Sequence, residues 1–95
     1  MAGEPVEGVV TVHYWAAARA AAGVDSDEVA AVEGLTLAGL VDEVLARHGD
    51  RPRLASVVSV CSVLVGDRPV GSAAPGDVRL RAGDTVELLP PFAGG

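Results

Sequence analysis

Between Thr36 and Gly49, the residues Leu37, Leu40, Val41, Val44, Leu45 and His48 recur at the spacing of one helical face, and this pattern most limits what the chain can become. Thr36 is placed to cap the start of that helix and Gly49 to stop its end. A helix with a single apolar stripe must bury it against another element, and the remaining apolar segments alternate in the manner of strands. Residues 9–15 put Val10, Val12 and Tyr14 on one face and Val9, Thr11, His13 and Trp15 on the other. Residues 85–89 put Val86 and Leu88 opposite Glu87 and Leu89.

The other segments read less sharply. Residues 25–32 carry a weak strand pattern centred on Val29, and residues 57–65 are so continuously apolar that they are expected to form an interior strand or its approach. Residues 16–22 favour a helical turn stopped by Gly23, residues 54–56 a short turn, and Gly66-Asp67-Arg68-Pro69 a reversal into a brief edge piece at Val70. Residues 71–83 read as a loop with a short turn, anchored by Val78 and Leu80. Strands around one main helix predict a two-layer α+β domain over residues 9–89, with a flexible stretch at 1–8 and an extended tail at 90–95. In that arrangement Trp15 and Leu89 point away from the helix, which makes the open sheet face a candidate docking surface.

Composition narrows the function. Ninety-five residues, 49% hydrophobic but with one Phe, one Trp and one Tyr, give a core of Val, Leu and Ala and little surplus for enclosing a substrate. A self-contained enzyme is therefore disfavoured. All seven basic residues are arginines, so a P-loop lysine, a Schiff base and a lysine general base are excluded. A net charge of −6 without a basic stripe argues against nucleic acid and anionic membranes as partners. It suits either a protein partner with a basic docking surface or simple solubility. Cys61 is the sole cysteine, which excludes an internal disulfide, and its apolar setting reads as a buried strand position. The first residues lack the features of a signal peptide and no apolar run approaches spanning length, so a soluble, cytoplasmic protein is expected. His13 and His48 have no metal-site spacing, and His48 is expected to complement the helix C-terminus. Asp42 and Glu43 suit a solvated helix face, and the serines show no nucleophile elbow.

With no internal catalytic constellation, attention falls on Pro90-Pro91-Phe92-Ala93-Gly94-Gly95. The prolines favour an extended exit from the last strand, and the glycines pass through a channel too narrow for side chains. Phe92 gains only when a partner buries it, by about 1.5–3 kcal/mol. The reacting group is then the Gly95 carboxylate, which at neutral pH is ionised and needs activation from outside. Joining it to AMP makes it an electrophile, and replacing that AMP with sulfur makes it a thiocarboxylate donor.

The run HYWAAARAAAG, the helix beginning at Thr36, and RAGDTVELLPPFAGG together resemble the small subunit of molybdopterin synthase, the MoaD type of sulfur carrier. The resemblance covers the chain from Val9 onward and implies a ubiquitin-like β-grasp fold. It further implies that Gly95 is adenylated by an E1-like enzyme that uses ATP, is thiocarboxylated from a sulfur donor system, and inserts into the large synthase subunit. Sulfur would pass there to the cyclic pyranopterin precursor. The small subunit would not be catalytic alone and would hold no cofactor or metal of its own. Gly94, Ala93, Phe92, Pro91 and Pro90 would be the recognised tail, and Trp15, Leu89 and Arg19 the partner interface. Gly66 stands where the family often has asparagine, which bears on the turn geometry. Thiamine-pathway and other sulfur carriers share the fold. A β-grasp interaction module, or a modifier that forms an amide through its diglycine, is the contrasting reading.

Overall fold

The computed structural model describes residues 8–91. In chain order the elements are β1 (Val9–Tyr14), α1 (Ala16–Ala22), β2 (Ser26–Ala30), α2 (Leu37–Arg47), α3 (Arg53–Val58), β3 (Ser62–Val65), β4 (Arg68–Pro69), a 3-10 turn at Pro75–Asp77, and β5 (Thr85–Leu89). The strands form one mixed sheet in the order β2-β1-β5-β3-β4. β1 and β5 pair in parallel, with Val12 opposite Val86 and Tyr14 opposite Leu88, while the remaining pairs are antiparallel. Two parallel strands so distant in sequence require a crossover, and the helical segments supply it on one side of the sheet.

The alternation read from the sequence decides which face is covered. Val10, Val12, Tyr14, Val86 and Leu88 are buried, joined by Val29 of β2. Leu37, Leu40 and Val44 of α2, Ala18 and Ala22 of α1 and Leu54 of α3 complete the same core. Three helices therefore cover the sheet face that the sequence assigns mainly to one. The Thr36 cap forms as expected, its Oγ1 accepting the Gly39 N–H at 3.1 Å. The helix also stops where Gly49 predicts: α2 ends at Arg47 with His48 as its cap and Gly49 the first residue beyond, though without a left-handed glycine. At this end the His48 ring is tied to β2.

Residues 57–65 need a larger correction. Val57 and Val58 belong to α3, which also absorbs the short turn read at 54–56, and the strand begins only at Ser62. A short apolar run cannot distinguish a buried helix from a strand by periodicity alone. Cys61 consequently lies just before β3, half-buried, its Sγ donating to the Val57 carbonyl at 3.3 Å. Burial pushes its thiol up, away from the reactive thiolate. β4 ends one residue before Val70, whose N–H still donates to the Val63 carbonyl at 2.9 Å. At the β3–β4 reversal Gly66 has φ +64° while Asp67 keeps a negative φ, the sign pattern of a type II′ hairpin turn. The turn thus forms with glycine in place.

Beneath the end of α2 lies a polar cluster that the sequence pattern does not reveal. Asp27 Oδ2 accepts the Tyr14 hydroxyl at 2.7 Å and His48 Nε2 at 2.6 Å, and the Tyr14 and His48 rings meet edge to face at 6.1 Å. Arg47 lies 3.6 Å from the other Asp27 oxygen and donates to the Glu28 carbonyl at 2.8 Å. Burial works to raise the Asp27 carboxyl, but the bonds from His48 and Tyr14, followed by the charges of His48 and Arg47, outweigh it and hold the group below its ordinary value. A carboxyl depressed in the folded state stabilises above its unfolded pKa of about 3.9 and loses that contribution as pH falls through the folded value. The thermal midpoint is expected to fall below about pH 4, and Asp27→Asn to flatten that slope at a cost of about 1 kcal/mol at neutral pH. Scanning calorimetry of both proteins across that range checks it; equal slopes refute the assignment. Burial, and then the Asp27 bond, push the Tyr14 phenol up, so it stays protonated and donating through neutral pH.

Candidate functional site

The parallel centre of the sheet brings the ends of β1 and β5 together. Tyr14 faces Leu88 in register, and the Trp15 N–H donates to the Leu88 carbonyl at 3.2 Å, carrying the ladder one step past β1. Trp15 keeps an extended backbone before α1 begins, so its side chain continues the open-face alternation of Val9, Thr11 and His13. Leu89 stands opposite Ser62 of β3, on the same face as Glu87 and Leu64. The structure therefore places Trp15 and Leu89 side by side at one end of the helix-free face.

Glu87, which sequence reasoning passes over, organises this face. Its carboxylate accepts Trp15 Nε1 at 2.7 Å and His13 Nδ1 at 2.9 Å. Trp15 is 48% exposed. An exposed indole whose N–H is already bonded presents a fixed apolar surface and loses little freedom on binding. The His13–Glu87 register pairing is set by the parallel β1–β5 pair, which no local pattern in the chain could show. Arg19, the third expected interface residue, lies one turn after Trp15 on α1, with its guanidinium 3.5 Å from Asp25. It is exposed but makes no hydrogen bond to Trp15, Glu87 or Leu89 through its side chain among the described residues.

The chain leaves this corner through Pro90, half-buried, and Pro91, exposed. The expected tail residues Phe92, Ala93, Gly94 and Gly95 lie outside the described residues. What the structure places is the exit through Pro90 and Pro91, which follows β5 at the corner where Trp15 and Leu89 lie. Among the described residues no group of three or more His, Cys, Asp and Glu side chains is arranged to hold a metal ion, and no helix is long and apolar enough to cross a membrane.

A mixed five-stranded sheet with a parallel centre and helices on one face is the ubiquitin-like β-grasp fold. The ThiS family profile matches residues 12–95, and the chain belongs to that family of ubiquitin-fold sulfur carriers. Among solved structures, a Pyrococcus furiosus protein assigned as molybdopterin converting factor, subunit 1, is 28% identical with a TM-score of 0.71, covering 90% of this chain and 100% of that one. The small archaeal modifier protein SAMP1 of Haloferax volcanii is also 28% identical with a TM-score of 0.71, covering 93% and 100%. A Helicobacter pylori complex of subunits 1 and 2 of molybdopterin-converting factor matches at 21% identity and TM-score 0.59, over 92% and 99%, a likeness of fold. No curated protein matches the chain.

Proposed function

We propose that this chain is the sulfur-carrying small subunit of a molybdopterin synthase. Its Gly95 carboxylate attacks the α-phosphate of ATP on an E1-like enzyme, releasing pyrophosphate and forming an acyl adenylate. A sulfur nucleophile then displaces AMP to leave a thiocarboxylate, which the large synthase subunit positions for transfer to the pyranopterin precursor. The chain supplies the acyl terminus and the docking face, holds no cofactor of its own, and works in the cytoplasm. The observation that carries the reading is the placement of the Pro90 exit beside Trp15 and Leu89, so that one partner surface can take both the face and the tail. The 28% identical Pyrococcus protein supports the choice of pathway.

The test is intact-mass spectrometry after incubation with an E1-like enzyme, ATP and a sulfur donor. One oxygen is expected to be replaced by sulfur at the C-terminus, and the thiocarboxylated protein with the large subunit to convert the precursor to molybdopterin. The equal likeness to SAMP1 favours a second reading, in which Gly95 forms an amide with a lysine of another protein. A stable adduct resistant to thiols, with no sulfur incorporated, decides for that alternative.

A further inference from the structure

The seven arginines of this acidic chain are unevenly distributed. Three of them, Arg68 of β4 and Arg79 and Arg81 of the segment before β5, line one hollow of about 600 Å³ together with Val65 and Thr85. The two segments meet where the Gly66 N–H donates to the Thr85 carbonyl at 2.8 Å, and the second segment is held by the Arg79–Thr36 backbone bridge and by the Gly83 N–H on the Val9 carbonyl at 2.9 Å. Of the other four arginines, Arg19 lies 3.5 Å from Asp25 and Arg47 3.2 Å from Glu43, while Arg51 and Arg53 form no ion pair among the described residues but lie apart from this hollow. No carboxylate of a described residue comes within 4.0 Å of the guanidinium groups of Arg68, Arg79 or Arg81.

Two acids also line the hollow. Asp84 is engaged locally, its Oδ2 accepting the Arg81 backbone N–H at 2.8 Å, and Asp67 sits in the hairpin turn. Three arginines against two aspartates leave the hollow positive inside a chain of net charge −6. Like charges gathered this way repel one another, and guanidinium forks match the oxygen geometry of phosphate. We infer that this hollow binds a small multiply charged oxyanion of the phosphate class. Its volume suits a small molecule, whereas an acidic polypeptide would need a longer basic track. The hollow touches β5 at Thr85, four residues and about 13 Å from Leu89, so its ligand leaves the docking corner free.

The test is a titration of the whole chain with inorganic pyrophosphate at constant ionic strength, followed by amide chemical shifts. Saturable changes are expected at residues 65–68 and 79–85. The Arg79→Gln/Arg81→Gln pair is expected to weaken the response at least tenfold, while Arg51→Gln leaves it unchanged. All three arginines are exposed, so the variants should keep the parent spectrum elsewhere. Arg68→Gln alone gives a second reading of the same hollow, with a smaller expected loss. A linear response, equal changes around Arg51 and Arg53, or a pair variant that binds like the parent overturns the inference. So does saturable binding of a poly-glutamate peptide with no response to pyrophosphate.

Discussion

Deleting Gly95 is expected to abolish sulfur incorporation while leaving the thermal midpoint and the amide spectrum of residues 8–91 unchanged. The physical reason is a separation of roles. The described core is closed by Val10, Val12, Leu40, Val44, Leu54, Val86 and Leu88, and none of these lies beyond β5. In the proposed role the acyl group that reacts is the terminal carboxylate, and the one thiol, Cys61, offers no substitute, being half-buried, pushed up by that burial, and bonded to Val57. Shortening the tail by one residue would also leave Gly94 as the new terminus, one residue short of an activating site shaped for the full tail. With chemistry that depends on placing reacting atoms about 3–3.5 Å apart, such a displacement is expected to remove the reaction instead of slowing it slightly. Intact-mass analysis of parent and truncated chains under identical activation is the measurement. Sulfur incorporation by the truncated chain at the parent rate would refute the proposed role of Gly95.

The second large effect is expected at Trp15. Trp15→Ala should weaken binding of the large synthase subunit by about 2 kcal/mol or more, roughly 30-fold in Kd, because buried aromatic anchors dominate interfaces of this kind. The fold should tolerate it, since the indole is 48% exposed and lies outside the buried core. Glu87→Ala separates packing from positioning. It leaves the indole in place but removes the 2.7 Å bond that fixes it, along with the His13 contact at 2.9 Å. A loss of about 1 kcal/mol is expected, the ordinary net worth of such a bond, together with lower fluorescence anisotropy of the chain's sole tryptophan. Calorimetric titration of the three proteins with the large subunit reads both. If Trp15→Ala binds like the parent, the open face is not where that partner docks.

The strands at 9–14 and 85–89, the helix from Leu37 and its Thr36 cap were legible because each is a local pattern: alternation places side chains on two faces, and helical spacing on one. Local pattern failed where two structures bury the same residues. Val57 and Val58 are partly buried against the core from α3, whose Leu54 is fully buried, and an apolar run of this length does not tell that helix from a strand.

The open sheet face divides in the same way. Trp15 and Leu89 could be assigned to the uncovered face from alternation alone, but not their adjacency. That adjacency depends on the parallel pairing of β1 with β5, which joins residues more than seventy positions apart. The same pairing delivers Glu87 to His13 and Trp15, and the β1–β2 register delivers Asp27 to the end of α2, where Tyr14 and His48 meet it. Arg68, Arg79 and Arg81 likewise share a hollow only after the chain has folded. Sequence sets which elements form and which faces they bury, because propensity and periodicity act over a few residues. Partners among polar and charged groups are set by strand register and crossover, and those exist only in the tertiary structure.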